Sequence, residues 1–115
     1  MQLTHHKNLN PEIWSKYSKD RQILMIANEL NRLINGLKAD FKIQELKSCI
    51  ERILELADLT IICQNKSLRK ELLRWREIFG ENYIISENEL RQQLKNLNIF
   101  LNTLLLMSKE SSILI

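Results

Sequence analysis

The stretch RQILMIANELNRLINGL, residues 21–37, decides the fold class because its apolar residues recur every three or four positions. This spacing places them on one side of an α-helix and leaves polar side chains on the other. The apolar set is Ile23, Ile26, Ala27, Leu30, Leu33, Ile34 and Leu37. The pattern predicts an amphipathic helix over about 19–37, with Ser18 as its N-cap.

The same periodicity predicts three more long helices, over about 41–64, 68–79 and 86–107. Their predicted N-caps are Asp40, Ser67 and Ser86. Glu89 stands three residues after Ser86, which completes a capping box and makes this the best-specified helix start in the chain.

The composition also favours an all-α fold. Sheet-rich folds need many turn residues, and this chain has only two Gly and one Pro. Asn10-Pro11 predicts the start of a short helix that precedes the long ones. Short connections make neighbouring helices antiparallel, so we predict one domain over 1–115, an antiparallel up-down four-helix bundle with a short extra N-terminal helix. Residues 1–9 are predicted to be loose and residues 108–115 to form an apolar tail.

Charge and cysteine content restrict the setting in which the chain works. The net charge is +3, no apolar run approaches the ~20 residues of a membrane span, and the N-terminus lacks the apolar stretch of a signal peptide. A cytoplasmic location is therefore expected. Cys49 and Cys63 fall in one predicted helix, roughly 21 Å apart, whereas a disulfide needs Cα atoms within about 7 Å. We expect two reduced, structural cysteines.

Three carboxylates, Glu51, Glu55 and Asp58, lie four and three positions apart in the predicted helix 41–64. A metal site in a bundle needs carboxylates that project inward from facing helices. These three lie opposite the apolar arc of their helix, on the side that faces water in a bundle. We therefore interpret them as a solvated face and expect no metal ligand, cofactor or catalytic residue.

The segment Glu55-Leu-Ala-Asp58 resembles half of the metal motif of the all-α nucleotide pyrophosphohydrolases of the MazG type. That family pairs E-x-x-E on one helix with E-x-x-D on the next, and the resemblance implies magnesium-dependent nucleotide hydrolysis. The preceding helix has Glu29-Leu-Asn-Arg32, with an arginine where the motif has its second glutamate. The resemblance covers four residues and makes a MazG-like hydrolase the third of our functional hypotheses.

Residues 65–76, NKSLRKELLRWR, form a strongly basic segment. Its charge is +5 − 1 = +4, which exceeds the +3 of the whole chain. The cations are Lys66, Arg69, Lys70, Arg74 and Arg76. Such a concentration is typical of contact with nucleic-acid phosphates. The alternative is an ordinary solvated face, in which these residues flank a core stripe that contains Trp75 and Phe79.

The predicted C-terminal helix carries more apolar surface than one core stripe needs. Ile99 and Leu106 lie nearly opposite its leucine stripe, and a helix that is apolar on both sides is usually buried on both. We expect a subunit or partner interface formed by Ile99, Leu106, Lys95, Asn102, Ile113, Leu114 and Ile115. The alternative is that the apolar tail folds back over Ile99 and Leu106.

Together these patterns favour a non-catalytic helical-bundle interaction protein that self-associates, most simply as a two-fold dimer, or docks on a protein partner. A nucleic-acid-binding accessory protein that uses residues 66–76 is the alternative. No membrane partner is expected.

Overall fold

The fold is all-α over the part of the chain that the computed structural model describes, which is the backbone of residues 3–113 and the side chains of residues 3–108. This part contains six α-helices and a short 3-10 helix at Glu81–Tyr83. The α-helices are α1 (Pro11–Trp14), α2 (Lys19–Lys38), α3 (Ile43–Cys63), α4 (Lys66–Gly80), α5 (Glu87–Arg91) and α6 (Leu94–Ile113). The predicted class is therefore confirmed, and α2 and α3 lie close to their predicted bounds.

One buried core joins the long helices. Helix α2 packs along both α3 and α6, and α4 packs on α3, whereas α4 and α6 touch only over a short stretch. The largest fully buried side chains are Trp14, Phe79, Ile23, Ile26, Leu30, Leu33, Leu46, Ile50, Ile53, Leu56, Leu59 and Leu72. Most of them belong to the three- and four-residue repeats seen in the sequence, because burial of those faces is what holds the helices together.

The turn between α2 and α3 differs from the one we predicted. Asp40 is not the N-cap of α3, since that position belongs to Lys42, which makes no side-chain cap. Asp40 instead has φ 63°, and the Phe41 backbone N–H donates to Gly36 O over 2.9 Å. This bond pattern and the left-handed residue are those of a Schellman C-cap, and Asp is one of the few non-glycine residues that tolerate them.

Helix α4 begins two residues before the predicted start. Asn65 is its N-cap, and the Asn65 side chain accepts the Leu68 backbone N–H over 3.0 Å. Ser67, which we predicted as the cap, lies inside the helix. Asn and Ser cap helices equally well, so propensity alone could not separate the two positions.

The prediction of one continuous helix over 86–107 is wrong, because this region forms two helices. The capping box at Ser86 and Glu89 is present, but the first helix, α5, ends at Arg91 and a turn at 92–93 precedes α6. Helix α6 then continues to Ile113, six residues beyond the predicted end. Residues 108–113 are thus helical backbone, and the predicted tail residues Leu114 and Ile115 lie outside the described residues.

The N-terminal residues are held on the body of the protein from Leu3 onward. Leu3 is buried, and the segment that follows it binds side chains of α3. Helix α1 is fixed to α3 as well, because the fully buried Trp14 donates its Nε1–H to Thr60 Oγ1 over 2.9 Å. We expected residues 1–9 to be loose. The contacts with α3 instead hold the segment from Leu3 onward on the body of the protein.

No helix in the described part of the chain is both long enough and apolar enough to cross a membrane.

Candidate protein-interaction groove between α4 and α6

Three large apolar side chains on α4 and α6 are exposed on the same surface. Ile78 is 51% exposed, Ile99 56% and Leu106 59%, which is unusual for side chains of this size that stand side by side. Large contiguous apolar patches on a protein surface mark interaction sites more often than isolated apolar residues do. Their position between two helices therefore identifies a candidate interaction site.

The surface is concave because α4 and α6 make contact only over a short stretch. A groove of about 440 Å³ runs between them, and a second hollow of about 370 Å³ continues it towards the 3-10 helix and the start of α6. Ile78, Ile99 and Phe100 line both. The remaining lining residues of the first groove are Glu71, Arg74, Trp75, Thr103, Leu106 and Met107.

Aromatic side chains form the floor of the groove, because the buried Trp75 and the partly buried Phe100 line it and both rings contact the fully buried Phe79. Trp75 stacks on Phe79 with ring centroids 4.9 Å apart, and the edge of Phe100 meets both rings. Trp75 Nε1 also donates to Phe100 O over 3.1 Å, which ties α4 to the backbone of α6. Aromatic pairs and a satisfied indole N–H make this floor rigid. Trp75 is buried, as its place in the core stripe predicted.

The groove contains two of the residues that we expected in an interface. Ile99 and Leu106 line it, while Lys95 and Asn102 are exposed on α6 without lining it. The side chain of Ile113, and Leu114 and Ile115 altogether, lie outside the described residues. Sequence reasoning missed Ile78 and Thr103. Ile78 could have been noticed, since it adjoins the core stripe of α4 yet falls outside its three- and four-residue spacing.

The rim of the groove on α4 carries charges of both signs. Lys70, Glu71, Arg74 and Glu77 are exposed, and none of them forms an ion pair with another side chain that the structure describes. Leu73, also exposed at 42%, lies among them. These side chains are free to bind a partner.

The basic segment does not present its five cations together. Arg69 donates to the backbone carbonyls of Ile61 and Gln64, at the C-terminal end of α3. Arg76 pairs with Asp58, Nε to Oδ1 2.9 Å. Lys66, Lys70 and Arg74 remain exposed on α4. Three of the five cations, rather than all five, are therefore free to contact phosphate groups.

The carboxylate stripe of α3 is only partly solvated, and this corrects our interpretation, since Glu51 and Asp58 are 41% and 38% exposed but Glu55 is largely covered. The Glu55 side chain is only 13% exposed, and it accepts backbone N–H groups of Thr4, His5 and His6 together with His6 Nδ1 at 2.7 Å. Burial raises the pKa of the Glu55 carboxyl, but these hydrogen bonds outweigh it, so the net pKa lies below its ordinary value. Glu55 anchors the N-terminal segment.

The other two carboxylates also bind other elements. Glu51 accepts from His5 Nε2 at 3.2 Å and from the Tyr83 hydroxyl at 3.1 Å, which joins the N-terminal segment to the 3-10 helix. Asp58 holds Arg76 of α4. All three carboxylates therefore fasten neighbouring elements to α3.

The MazG-like reading does not fit this geometry. Its two matching carboxylates, Glu55 and Asp58, are engaged by N–H donors and a guanidinium, which leaves them poorly placed to bind magnesium. No cluster of three or more His, Cys, Asp or Glu residues suited to a metal occurs among the described residues. The other half of the motif, E-x-x-E, is incomplete on the preceding helix, where Arg32 stands in place of the second glutamate after Glu29.

The two cysteines are free thiols on α3, as the spacing predicted. Burial raises the pKa of both the Cys49 and the Cys63 thiol. A raised pKa keeps a thiol neutral, and the neutral form is a poor nucleophile. Neither residue has the character of a catalytic cysteine.

The chain matches no protein-family model, no curated protein and no solved structure.

Proposed function

We propose that this chain is a non-catalytic interaction protein of the cytoplasm that uses the α4–α6 groove to bind a second copy or a protein partner. Its long helices would form an antiparallel up-down four-helix bundle. The observation that carries the proposal is the exposure of Ile78, Ile99 and Leu106 along one groove. Association would remove these side chains from water.

The groove suits an α-helical ligand. On each wall the lining residues are spaced three and four apart, at 71, 74 and 78 on α4 and at 99, 103 and 106 on α6. Ridges with this spacing accept the side chains of a third helix, as in other helix-in-groove complexes. The aromatic floor adds to affinity, because a preformed groove loses little conformational entropy on binding.

Affinity capture with a matched control tests the proposal. Tagged wild type, Ile99→Glu/Leu106→Glu and Leu24→Glu/Ile62→Glu are each co-expressed with the untagged chain in the native host. Leu24 and Ile62 are exposed apolar residues, 44% and 48%, outside the groove. We expect the untagged chain or a specific protein to co-purify with wild type and the control pair, and not with the groove pair. Equal capture by all three baits would contradict the proposal.

A second candidate function is nucleic-acid binding through α4, favoured by the three free cations Lys66, Lys70 and Arg74. Each phosphate contact contributes a log–log salt slope of about −0.7 to −0.9, so three contacts predict roughly −2 to −3. Filter binding of RNA and DNA at several salt concentrations measures this slope. Replacing Arg69 by Gln should leave the slope unchanged, since that side chain already binds carbonyls of α3. Absence of binding at low salt would exclude this candidate.

A further inference from the structure

A polar hollow lies between α2 and the first half of α3. Its volume is about 270 Å³, and it shares no lining residue with the α4–α6 groove. Most of its lining side chains are polar or charged, in contrast to the apolar groove. The volume is below the ~300–1,000 Å³ typical of sites for drug-sized ligands, so the hollow suits a smaller molecule.

Four side chains that can donate hydrogen bonds line this hollow. Gln44, Ser48 and Arg52 stand at four-residue intervals on one face of α3, and Arg32 approaches from α2. None of the four side chains forms a hydrogen bond or an ion pair with the residues that the structure describes. Their donors are therefore available to a ligand.

The thiol of Cys49, which also lines the hollow, reports on the charges around it. Burial raises the pKa of this thiol, and the positive charges of Arg32 and Arg52 act in the opposite direction. Glu29 and Glu45 add to the increase. Both guanidinium groups thus lie close enough to influence the floor of the hollow, and the floor itself is a neutral thiol that does not repel an anion.

The helix geometry brings the donors of α3 towards a common point. Helical side chains lean towards the N-terminus of their helix, so the long side chain of Arg52 leans back towards Ser48, one turn earlier. Arg32 lies across the hollow on α2. Two guanidinium groups and a hydroxyl around one small space suit an anion with several acceptor oxygens, because guanidinium binds such oxyanions in a bidentate manner.

We propose that this hollow binds the phosphate group of a small ligand, with Arg32, Ser48 and Arg52 donating to its oxygens. Two unpaired cations favour a dianionic phosphate over a monoanion such as a carboxylate. Glu45 also lines the hollow, and its exposed carboxylate opposes any anion there. We therefore expect a dissociation constant in the millimolar range for inorganic phosphate alone.

An NMR titration of the full chain tests this site. Amide and arginine side-chain spectra are recorded while inorganic phosphate is added at constant pH and ionic strength, with sodium chloride and sodium acetate as comparison salts. Phosphate should give saturable shifts at Ser48, Cys49 and Arg52, and acetate should bind more weakly. Shifts that do not saturate, or that chloride reproduces at the same ionic strength, would overturn the proposal.

Matched variants test which side chains hold the phosphate. Arg32→Gln and Arg52→Gln should each weaken binding about tenfold or more, because each removes charge-assisted hydrogen bonds. Glu45→Gln should tighten binding. The control is Arg21→Gln, which makes the same change on α2 about 16 Å from residue 32 along the helix. Amide spectra check that all four variants are folded. Equal weakening by Arg21→Gln and Arg52→Gln would overturn the proposal.

Discussion

At the scale of single residues, Glu55 has the contact with the clearest energetic consequence. Its carboxylate takes four donors from residues 4–6, about fifty positions away in the sequence. Hydrogen-bond partners so distant cannot be found from helical periodicity, which says only which face of a helix meets the core. The stripe was therefore correctly placed opposite the apolar arc, but its role was missed.

Replacing Glu55 by Gln should destabilise the protein near neutral pH by about 1–3 kcal/mol, because a buried acceptor of several N–H groups loses its charge. The folded pKa lies below the ordinary value of 4.5, so the carboxylate stabilises the fold above that pH. That stabilisation is lost as the pH falls through the folded pKa. Thermal melting from pH 7 to pH 3 should show the gap between wild type and variant closing.

Glu45→Gln is the control for this prediction, since Glu45 is an exposed carboxylate of the same helix with no hydrogen-bond or ion-pair partner among the described side chains. It should cost only about 0.3–1 kcal/mol near neutral pH, because Glu45 lies in the first turn of α3, where its charge interacts with the helix dipole. A Glu55→Gln gap that stays constant down to pH 3 would show that the carboxylate does not anchor the N-terminal segment through its charge.

Trp75 is the second residue on which the structure depends. Truncating a buried aromatic side chain to Ala typically costs ~3–5 kcal/mol, and Trp75→Ala would also remove the hydrogen bond to Phe100 O. Trp75→Phe should cost less because it keeps a ring against Phe79. Denaturant unfolding measures both. A Trp75→Ala variant as stable as wild type would contradict the contribution that we assign to the Trp75 side chain in the stability of the fold.

At the scale of elements, the helix starts distinguish what local sequence can and cannot predict. The Ser86–Glu89 capping box was predicted correctly because its signal is local and reciprocal. The break at 92–93 was missed because Leu90, Leu94 and Leu97 keep a helical spacing across it, and Gln92 and Gln93 are ordinary helix formers.

The corrected start of α4 gives a prediction at this scale. Asn65→Ala should cost about 0.5–2 kcal/mol because it removes the cap on Leu68 N–H. Ser67→Ala, two residues on, should be neutral or slightly stabilising, since Ala favours the helix interior. Thermal melting of the two variants compares them directly. If Ser67→Ala were instead more destabilising than Asn65→Ala, Ser67 and not Asn65 would be the N-cap of α4.

At the scale of the whole molecule, the apolar periodicity predicted an all-α fold and placed Ile99 and Leu106 off the core stripe, but it did not predict that Ile78 of α4 would be exposed beside them. Ile78, Ile99 and Leu106 are each about half exposed in an isolated copy. Covering their exposed parts in two copies would contribute roughly 5–9 kcal/mol, from about 1.5–3 kcal/mol for a fully buried side chain. Lost translational and rotational freedom costs an estimated 4–15 kcal/mol. The two ranges overlap, so association should be moderate and visible at micromolar concentrations or above.

Sedimentation velocity from 1 to several hundred micromolar tests most directly whether association covers this groove. Wild type and the Leu24→Glu/Ile62→Glu control should shift together from monomer to dimer as concentration rises. The folded Ile99→Glu/Leu106→Glu variant should remain monomeric throughout, because four buried carboxylates cannot be accommodated in the paired face. A groove variant that dimerises like the control would contradict the role we assign to α4 and α6, and a wild type that is monomeric at every concentration would contradict a second copy as the ligand of the groove.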